Sequence, residues 1–243
     1  MTWLWIIGNQ TDPPLVHSLS YGDLEASVFN TSIDGAAEYA YRCDEEFMKM
    51  GLRGLSVFVA SGDDGIGSMG IRDNKEESCA VSQPEWPAGS PYITSVGATQ
   101  LTNQHSPVCE QLYAGGVLEL PVQCTNLAET TCSSTIGGVI TSGGGFSNVY
   151  SRAEYATWQE AAVEKYLSLD GVTPTSPNYF NQAGRAYPDV SAYGSNYFVY
   201  LDGQVVRESG TSASTPAFAA MVALWNDMRL AYGMPPLGFM NPF

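Results

Sequence analysis

Hydroxyl side chains are concentrated just before the longest helical pattern of the chain, in the run Ser209-Gly-Thr-Ser-Ala-Ser-Thr-Pro216. A serine at the start of a helix, after a glycine-containing turn, exposes its hydroxyl beside backbone N–H groups that have no helical partner. This arrangement suits a nucleophile that attacks a carbonyl carbon. The same hydroxyls could equally act as N-capping groups, and the run alone does not separate the two interpretations.

An acidic turn follows the most apolar short segment. The run Leu55–Ala60 is continuously apolar, as in strands that are buried on both faces of a parallel sheet, and it leads directly into Ser61-Gly-Asp-Asp-Gly65. Open α/β sheets place ligands and catalytic groups at the carboxyl ends of their strands. The acids at this position could therefore be a metal ligand or a general base, or could simply form an Asp-Gly turn.

Three consecutive glycines form the third pattern, in Ser142-Gly-Gly-Gly-Phe-Ser147. Without side chains, such a segment allows another backbone to approach closely, as an extended peptide substrate would. A flexible loop is compatible with the same residues.

The elements that must position these groups alternate between strand and helix. The apolar patterns predict strands at Val16–Ser20, Leu55–Ala60 and Ile93–Val96 (the last stopped by Gly97), and helices at Ile33–Met50 and Ser214–Tyr232. The last helix would begin with Ser-Thr-Pro. This alternation predicts an α/β fold with a mostly parallel sheet.

The pattern is lost between Gln100 and Ile140, so we predict an insertion at about 101–139 without a long periodic element. It contains Cys109, Cys124 and Cys132, with His105 nearby. Their spacing matches no established zinc pattern, which favours a disulfide-stapled loop over a metal site. Because the chain has 5 cysteines, an odd number, at least one must stay free or pair outside the chain.

Composition excludes several classes of function. The 243 residues carry a net charge of -15, so no basic surface is available to neutralise nucleic-acid phosphates or to bind anionic membranes. No apolar run is long enough to span a bilayer, and no secretory signal is recognisable at the N-terminus. The sequons at Asn9 and Asn30, with the cysteines, nevertheless favour a secretory-route protein whose true N-terminus is missing. A cytosolic protein with chance sequons is the alternative.

Taken together and in order, four motifs resemble the sedolisin family of serine-carboxyl peptidases: Ser-Gly-Asp-x-Gly, Ser-Gly-Gly-Gly-Phe-Ser-Asn, Arg-Ala-Tyr-Pro-Asp-Val and Ser-Gly-Thr-Ser-Ala-Ser-Thr-Pro. The resemblance runs from about Trp3 to Pro242, interrupted by the cysteine-bearing insertion. It implies a subtilisin-like, mostly parallel sheet with helices on both faces. It also implies cleavage of peptides or unfolded proteins in acid, in a lysosomal, vacuolar or secreted setting.

The resemblance also implies roles for individual residues. Ser212 would be the nucleophile and Asp63 the oxyanion-hole residue, while an edge for the substrate backbone would be formed by Ser142, Gly143, Gly144 and Gly145. A carboxylic acid can donate a hydrogen bond to an oxyanion only while protonated, so Asp63 fits operation at low pH.

Two features of the family are absent from the sequence. Its general base is a Glu supported by an Asp four residues later, whereas Asp34 and Glu38 have the reverse order, as expected of two solvated helix acids. His17 lies in the middle of a predicted strand and His105 in the insertion, and we expect His17 simply to pack. The family's calcium segment follows the Asn-Pro that here ends at Pro242. We therefore expect calcium in the full-length protein, with its site absent from this chain.

The chain therefore resembles a partial peptidase domain spanning 1–243 and truncated at both ends, in which Trp3–Ile7 would form an internal helix. The first hypothesis is an acid serine peptidase that forms an acyl-enzyme on Ser212 and is inactive as this fragment because its base pair is missing. Tripeptidyl release and endopeptidase cleavage both stay open. The alternative is a catalytically dead, peptidase-like protein that binds extended peptides. An acidic adhesive domain would rest on composition alone and would leave Ser212 and Asp63 unexplained.

Overall fold

A computed structural model describes residues 2–30, 35–105, 125–169, 171 and 178–241. The helices are α1 (Thr2–Asn9), α2 (Glu25–Val28), α3 (Ala36–Leu52), α4 (Gly70–Asp73), α5 (Lys75–Ala80), α6 (Arg152–Tyr155), α7 (Glu160–Leu167) and α8 (Thr211–Ala231). The strands are β1 (Val16–Leu19), β2 (Asp23–Leu24), β3 (Ser56–Ala60), β4 (Glu85–Trp86), β5 (Thr94–His105), β6 (Thr125–Thr131), β7 (Gly145–Ser151), β8 (Gly184–Tyr187), β9 (Val190–Tyr193), β10 (Tyr197–Leu201) and β11 (Gln204–Glu208).

The central sheet is mostly parallel. Strand β3 pairs in parallel with β1 and with the start of β5, and β5 also pairs in parallel with β9. The distal half of β5 pairs antiparallel with β6. The carboxyl ends of β1, β3 and β5 therefore point to the same edge of the sheet, which confirms the predicted fold class.

Strand β3 is buried along its whole length because helices cover both faces of the sheet. Val57 and Val59 pack in one core cluster with residues of α1 and α3. Phe58, on the opposite face, packs in a second cluster with Ala219 and Val222 of α8. This three-layer arrangement explains why the strand is buried at every position instead of at alternate ones.

The strand predicted to stop at Gly97 instead continues to His105. Gly97 is required for close packing: a Cβ there would lie 2.7 Å from Ser191 Oγ, 2.9 Å from Pro188 Cγ and 3.0 Å from Ser142 Oγ. The glycine allows neighbouring segments to reach β5 and does not end it.

The expectation that 100–140 contains no long element was also wrong, because β5 and β6 form an antiparallel ladder from Thr99↔Thr131 to His105↔Thr125. Residues 106–124, with Cys109 and Cys124, lie outside the described part of the chain. Within that part no disulfide joins Cys132 to Cys43 or Cys79. The insertion boundaries at about 101–139 stay a prediction.

The helices largely follow the predicted pattern. The helix at Trp3–Ile7 is found as α1, and the one at Ile33–Met50 is found as α3, with 31–34 outside the described residues. As expected, His17 packs in the core: its ring lies edge-on to Trp3 with centroids 5.4 Å apart, and burial lowers its pKa. No helix in the described part has the length and apolarity needed to cross a membrane.

Candidate active site

The acidic turn after β3 meets the start of α8. Asp63 Oδ1 accepts hydrogen bonds from the backbone N–H of Thr211 at 2.7 Å and from the Thr211 hydroxyl at 2.9 Å. The backbone N–H of Gly62 donates to the same hydroxyl oxygen at 3.1 Å. Thr211 is buried, whereas Ser212, the next residue, is exposed. The two segments singled out by sequence are therefore in direct contact, and an exposed hydroxyl lies next to that contact.

The two oxygens of Asp63 have different surroundings. Oδ1 already accepts two hydrogen bonds, so a proton on this carboxyl group is better placed on Oδ2. A Cβ added to Gly210 would lie 3.2 Å from Oδ2, so a side chain there would crowd this oxygen. The arrangement leaves Oδ2 as the Asp63 oxygen that Thr211 does not occupy.

Helix α8 begins three residues before the predicted start, which places Pro216 inside the helix. A proline at this position has no N–H to donate to the carbonyl of Ser212, its i−4 residue. Instead, the hydroxyl of Ser20, just after β1, donates to Ser212 O at 3.0 Å. Sequence reasoning missed Ser20, although the proline four residues after Ser212 signals a carbonyl that needs another donor.

The glycine-rich segment packs against the same turn. The Gly143 N–H donates to Gly62 O at 2.7 Å, and a Cβ at Gly143 would lie 2.2 Å from Ser61 O. The Ser142 hydroxyl accepts from the Ala98 N–H at 2.9 Å. The backbone that approaches Gly143 is the protein's own, whereas the contact of this segment with a substrate backbone stays a prediction.

Gly145 is the first residue of β7 and pairs antiparallel with Tyr187 of β8. Ser142–Gly145 then form one wall of a cleft of about 570 Å³. The other lining residues are Ile66, Thr131, Phe146, Trp158, Gln159, Ala162, Val163, Tyr166, Ala186, Tyr187, Pro188, Asp189 and Ser191. The cleft thus combines aromatic and aliphatic walls with a few polar groups, as small-molecule and peptide sites commonly do.

Over residues 4–232 the sequence matches the subtilase family. The chain belongs to that family. It is 38% identical to tripeptidyl-peptidase 1 of Bos taurus and of Homo sapiens, over 100% of this chain and 36% of each relative. The chain therefore spans about a third of the length of these curated relatives.

A solved structure has the same fold as this chain. Pseudomonas sedolisin, a serine-carboxyl proteinase solved with two molecules of pseudo-iodotyrostatin, matches with a TM-score of 0.54 and 21% identity. The match covers 90% of this chain and 49% of that chain. The family resemblance and the subtilisin-like fold expected from the motifs are both confirmed.

One acid of this subtilase cleft is fully paired. Asp189 Oδ2 lies 2.6 Å from Arg185 Nη2, with both side chains buried, and it accepts from the Ser95 N–H at 2.7 Å. Gln159 Nε2 donates to Oδ1 at 3.1 Å. Because these partners satisfy Asp189, it adds little free negative charge to the cleft.

Two other buried acids of the subtilase chain have partners away from Ser212. Asp44 accepts from the hydroxyls of Ser90 and Tyr150, and burial raises the pKa of Asp44 to about 6. Glu25 accepts from the Ser147 hydroxyl at 2.5 Å, and burial raises its pKa as well. Their hydrogen bonds to neighbouring core residues assign both acids to the core instead of to a general base.

Of the predicted solvated pair, Asp34 and Glu38, the structure describes only Glu38, which is exposed on α3. Asp34 lies outside the described residues. Among the residues that the structure describes, no group of three or more His, Cys, Asp or Glu side chains could hold a metal ion. The calcium expected in the full-length protein stays a prediction, and no step proposed for this chain involves it.

Proposed function

We propose that this chain carries the nucleophile and the oxyanion donor of an acid serine peptidase. A base would take the Ser212 hydroxyl proton as the Ser212 oxygen attacks the peptide carbonyl carbon. The bond to the leaving nitrogen would then break as that nitrogen takes up the proton, and water would hydrolyse the resulting ester to release the acid and restore the Ser212 hydroxyl. The observation that carries this proposal is the double hydrogen bond from Thr211 to Asp63 Oδ1, beside the exposed Ser212.

The proposed role of Asp63 depends on its protonation. With Oδ1 engaged by Thr211, a protonated Oδ2 can donate to the oxygen on which negative charge develops during attack. Once ionised, the carboxyl group has no proton to donate and repels that charge. Activity confined to acid follows directly from this choice of residue.

The proposed substrate is a peptide or an unfolded protein, held in the cleft beside Gly143. Ser142, Gly143, Gly144 and Gly145 would contact it as a wall, because the Gly143 N–H and the Gly145 strand already pair within the protein. The named relatives are tripeptidyl-peptidases, so release of tripeptides and internal cleavage are both within the proposed activity. The exposed sequon residue Asn9 is compatible with a lysosomal, vacuolar or secreted location.

We further propose that the 243-residue polypeptide alone shows negligible turnover. No Glu in it has an Asp four residues later, and without a base the Ser212 hydroxyl is a poor nucleophile. The base pair, and any calcium, would come from residues that this sequence does not include.

The test is fluorophosphonate labelling at acid pH of two proteins: the chain itself, and a chimera that adds the upstream and downstream parts of bovine tripeptidyl-peptidase 1. We expect labelling of the chimera, loss of labelling in its Ser212→Ala variant, and labelling of the chain alone at least about a hundredfold slower. Labelling of the chain alone at the rate of the chimera would contradict the proposal that it is inactive. A folded chimera that is not labelled would contradict the proposal that Ser212 is a nucleophile.

The second candidate function is peptide binding without catalysis. It is favoured by one observation, a formed cleft beside Ser142–Gly145 in a chain that lacks the dyad. Fluorescence anisotropy with an extended labelled peptide would detect binding by the chain alone. Binding together with an unlabelled, folded chimera would select this function over the first.

A further inference from the structure

The carboxyl group of Glu85 lies directly beneath the turn that carries Asp63. Glu85 belongs to β4 and is only 5% exposed. A Cβ added to Gly62 would lie 2.7 Å from Glu85 Oε1 and 2.8 Å from Oε2. The carboxyl group thus occupies the space that a side chain at position 62 would need, and it packs against the Gly62 backbone.

Gly62 is the point where the three segments of the site meet. Its N–H donates to the Thr211 hydroxyl at 3.1 Å, and its carbonyl accepts from the Gly143 N–H at 2.7 Å. Asp63 follows it directly. A group that fixes Gly62 therefore also fixes the position of Asp63 relative to α8 and to the glycine-rich segment.

Glu85 is itself held at both ends. Its side chain accepts a hydrogen bond from the Ser68 hydroxyl and another from the backbone N–H of Met69. Its backbone N–H donates to the Tyr187 hydroxyl at 2.8 Å. These contacts leave the carboxyl group little freedom to move away from Gly62 if the local charge changes.

The charge around Glu85 is mainly negative. The titratable and charged groups that face it are Asp63 and Asp64 of the turn, Arg72 of α4 and Tyr187 of β8. Arg72 pairs with Asp64 at 2.7 Å and is itself largely exposed. Burial raises the pKa of Glu85, the hydrogen bonds from Ser68 and Met69 oppose this, and the nearby aspartates raise it further.

We propose that Glu85 is a positioning residue that holds the Gly62–Asp63 turn against Thr211 while its carboxyl group is protonated and loosens that turn when it ionises. The inference rests on the proposed function for its catalytic meaning, since Asp63 is the group being positioned. The contact between Glu85 and Gly62 depends on pH, because a buried negative charge beside Asp63 and Asp64 is costly. A small movement of the turn relieves that cost.

The test is amide hydrogen exchange at Gly62 and Thr211, corrected for the intrinsic pH dependence of exchange. In the wild-type chain we expect protection of both amides to fall about tenfold between an acid pH, at which Glu85 is protonated, and a higher pH, at which it is ionised. Glu85→Gln keeps the shape and the acceptor for Ser68 but cannot ionise, so we expect a fall of less than about twofold.

Glu76→Gln, on the exposed surface of α5, is the matched control and should behave as the wild type does. Exchange at Val59 in β3 reports any general loss of stability. The proposal is overturned if Glu85→Gln keeps the wild-type fall, or if it lowers protection equally at both pH values, as a purely structural role would. Because no turnover is measured, failure of Ser212 labelling leaves this result intact and counts only against the peptidase function.

Discussion

Asp63 and Thr211 are joined by two hydrogen bonds to a single carboxyl oxygen, at 2.7 Å from the Thr211 N–H and 2.9 Å from its hydroxyl. This contact makes the other oxygen of Asp63 the one able to donate. In a protein that supplies a base to this chain, we expect Asp63→Ala to lower kcat by about two to three decades, the scale for loss of one oxyanion donor. Steady-state kinetics on a peptide substrate would measure it, with Asp73→Ala as the control. A loss under about threefold would remove Asp63 from the mechanism.

Asp63→Asn provides the pH test of the same contact. The amide oxygen can still accept from Thr211, and the amide nitrogen can donate at any pH. We therefore expect this variant to retain activity toward neutral pH, where the wild type loses it. A pH–rate profile with an unchanged alkaline limb would show that the ionisation of another group sets that limit.

Gly143→Ala should separate the glycine-rich segment from the turn. The added Cβ would lie 2.2 Å from Ser61 O and 2.6 Å from Gly62 O, and backbone atoms cannot move aside as a flexible side chain can. We expect a loss of about 3 kcal/mol in the free energy of unfolding, measured by urea denaturation. Gly51→Ala in α3 is the control: its Cβ would meet Phe239 Cβ at 3.7 Å, so it should be neutral or slightly stabilising. Equal effects of the two substitutions would contradict the packing argument.

Asp44 should contribute more to stability in acid than at neutral pH. The folded-state pKa of Asp44 is raised from 3.8 to about 6, so the folded protein binds this proton more tightly than the unfolded chain does. As pH rises from about 4 through 6, folding loses about 2 to 3 kcal/mol from this group, and the cost is fully present above the raised pKa. Urea unfolding at several pH values would measure the slope.

Asp44→Asn should flatten that slope, since the amide does not ionise in this range. Glu38→Gln, on the exposed side of the same helix, should leave it unchanged. The raised pKa values of Glu25 and Glu85 act in the same direction, so part of the slope should persist in the Asn variant. A variant with the full wild-type slope would exclude Asp44 as a contributor.

Asp189→Ala should be among the most destabilising single changes near the cleft. It would leave the Arg185 guanidinium buried without its partner, which costs about 3 to 5 kcal/mol. The exposed pair of Asp64 and Arg72 provides the comparison, and Asp64→Ala should cost at most about 1 kcal/mol. Thermal or urea unfolding of both variants would test the difference, and similar losses would contradict the assignment of the Asp189 pair as buried.

Local patterns were sufficient to predict the fold class and the position of β3, whereas the common site of Asp63 and Ser212 was implied only by the family resemblance. Local patterns were insufficient where the role of a residue depends on a contact with a distant segment of the chain. Gly97 was expected to end a strand, but its role is to accommodate Ser191 and Pro188, which lie far along the chain. Pro216 was expected near the helix start, but it lies inside the helix. There the Ser20 hydroxyl donates to the Ser212 carbonyl, which the proline leaves without a backbone donor.

Glu85 is the clearest case of a residue whose position could not be inferred from sequence. Nothing in Glu-Trp-Pro indicates that this carboxyl group lies against Gly62, because the contact depends on how β4, Ser68 and Tyr187 are placed in three dimensions. A sequence motif identifies the residues that face a substrate more readily than those behind them.

The bond between Asp63 and Thr211 links residues 148 positions apart. Loop closure over this separation costs entropy before the contact forms, so the contact depends on the sheet and helix α8 that bring the two residues together. A nascent or partly folded chain would therefore contain both side chains without the assembled pair.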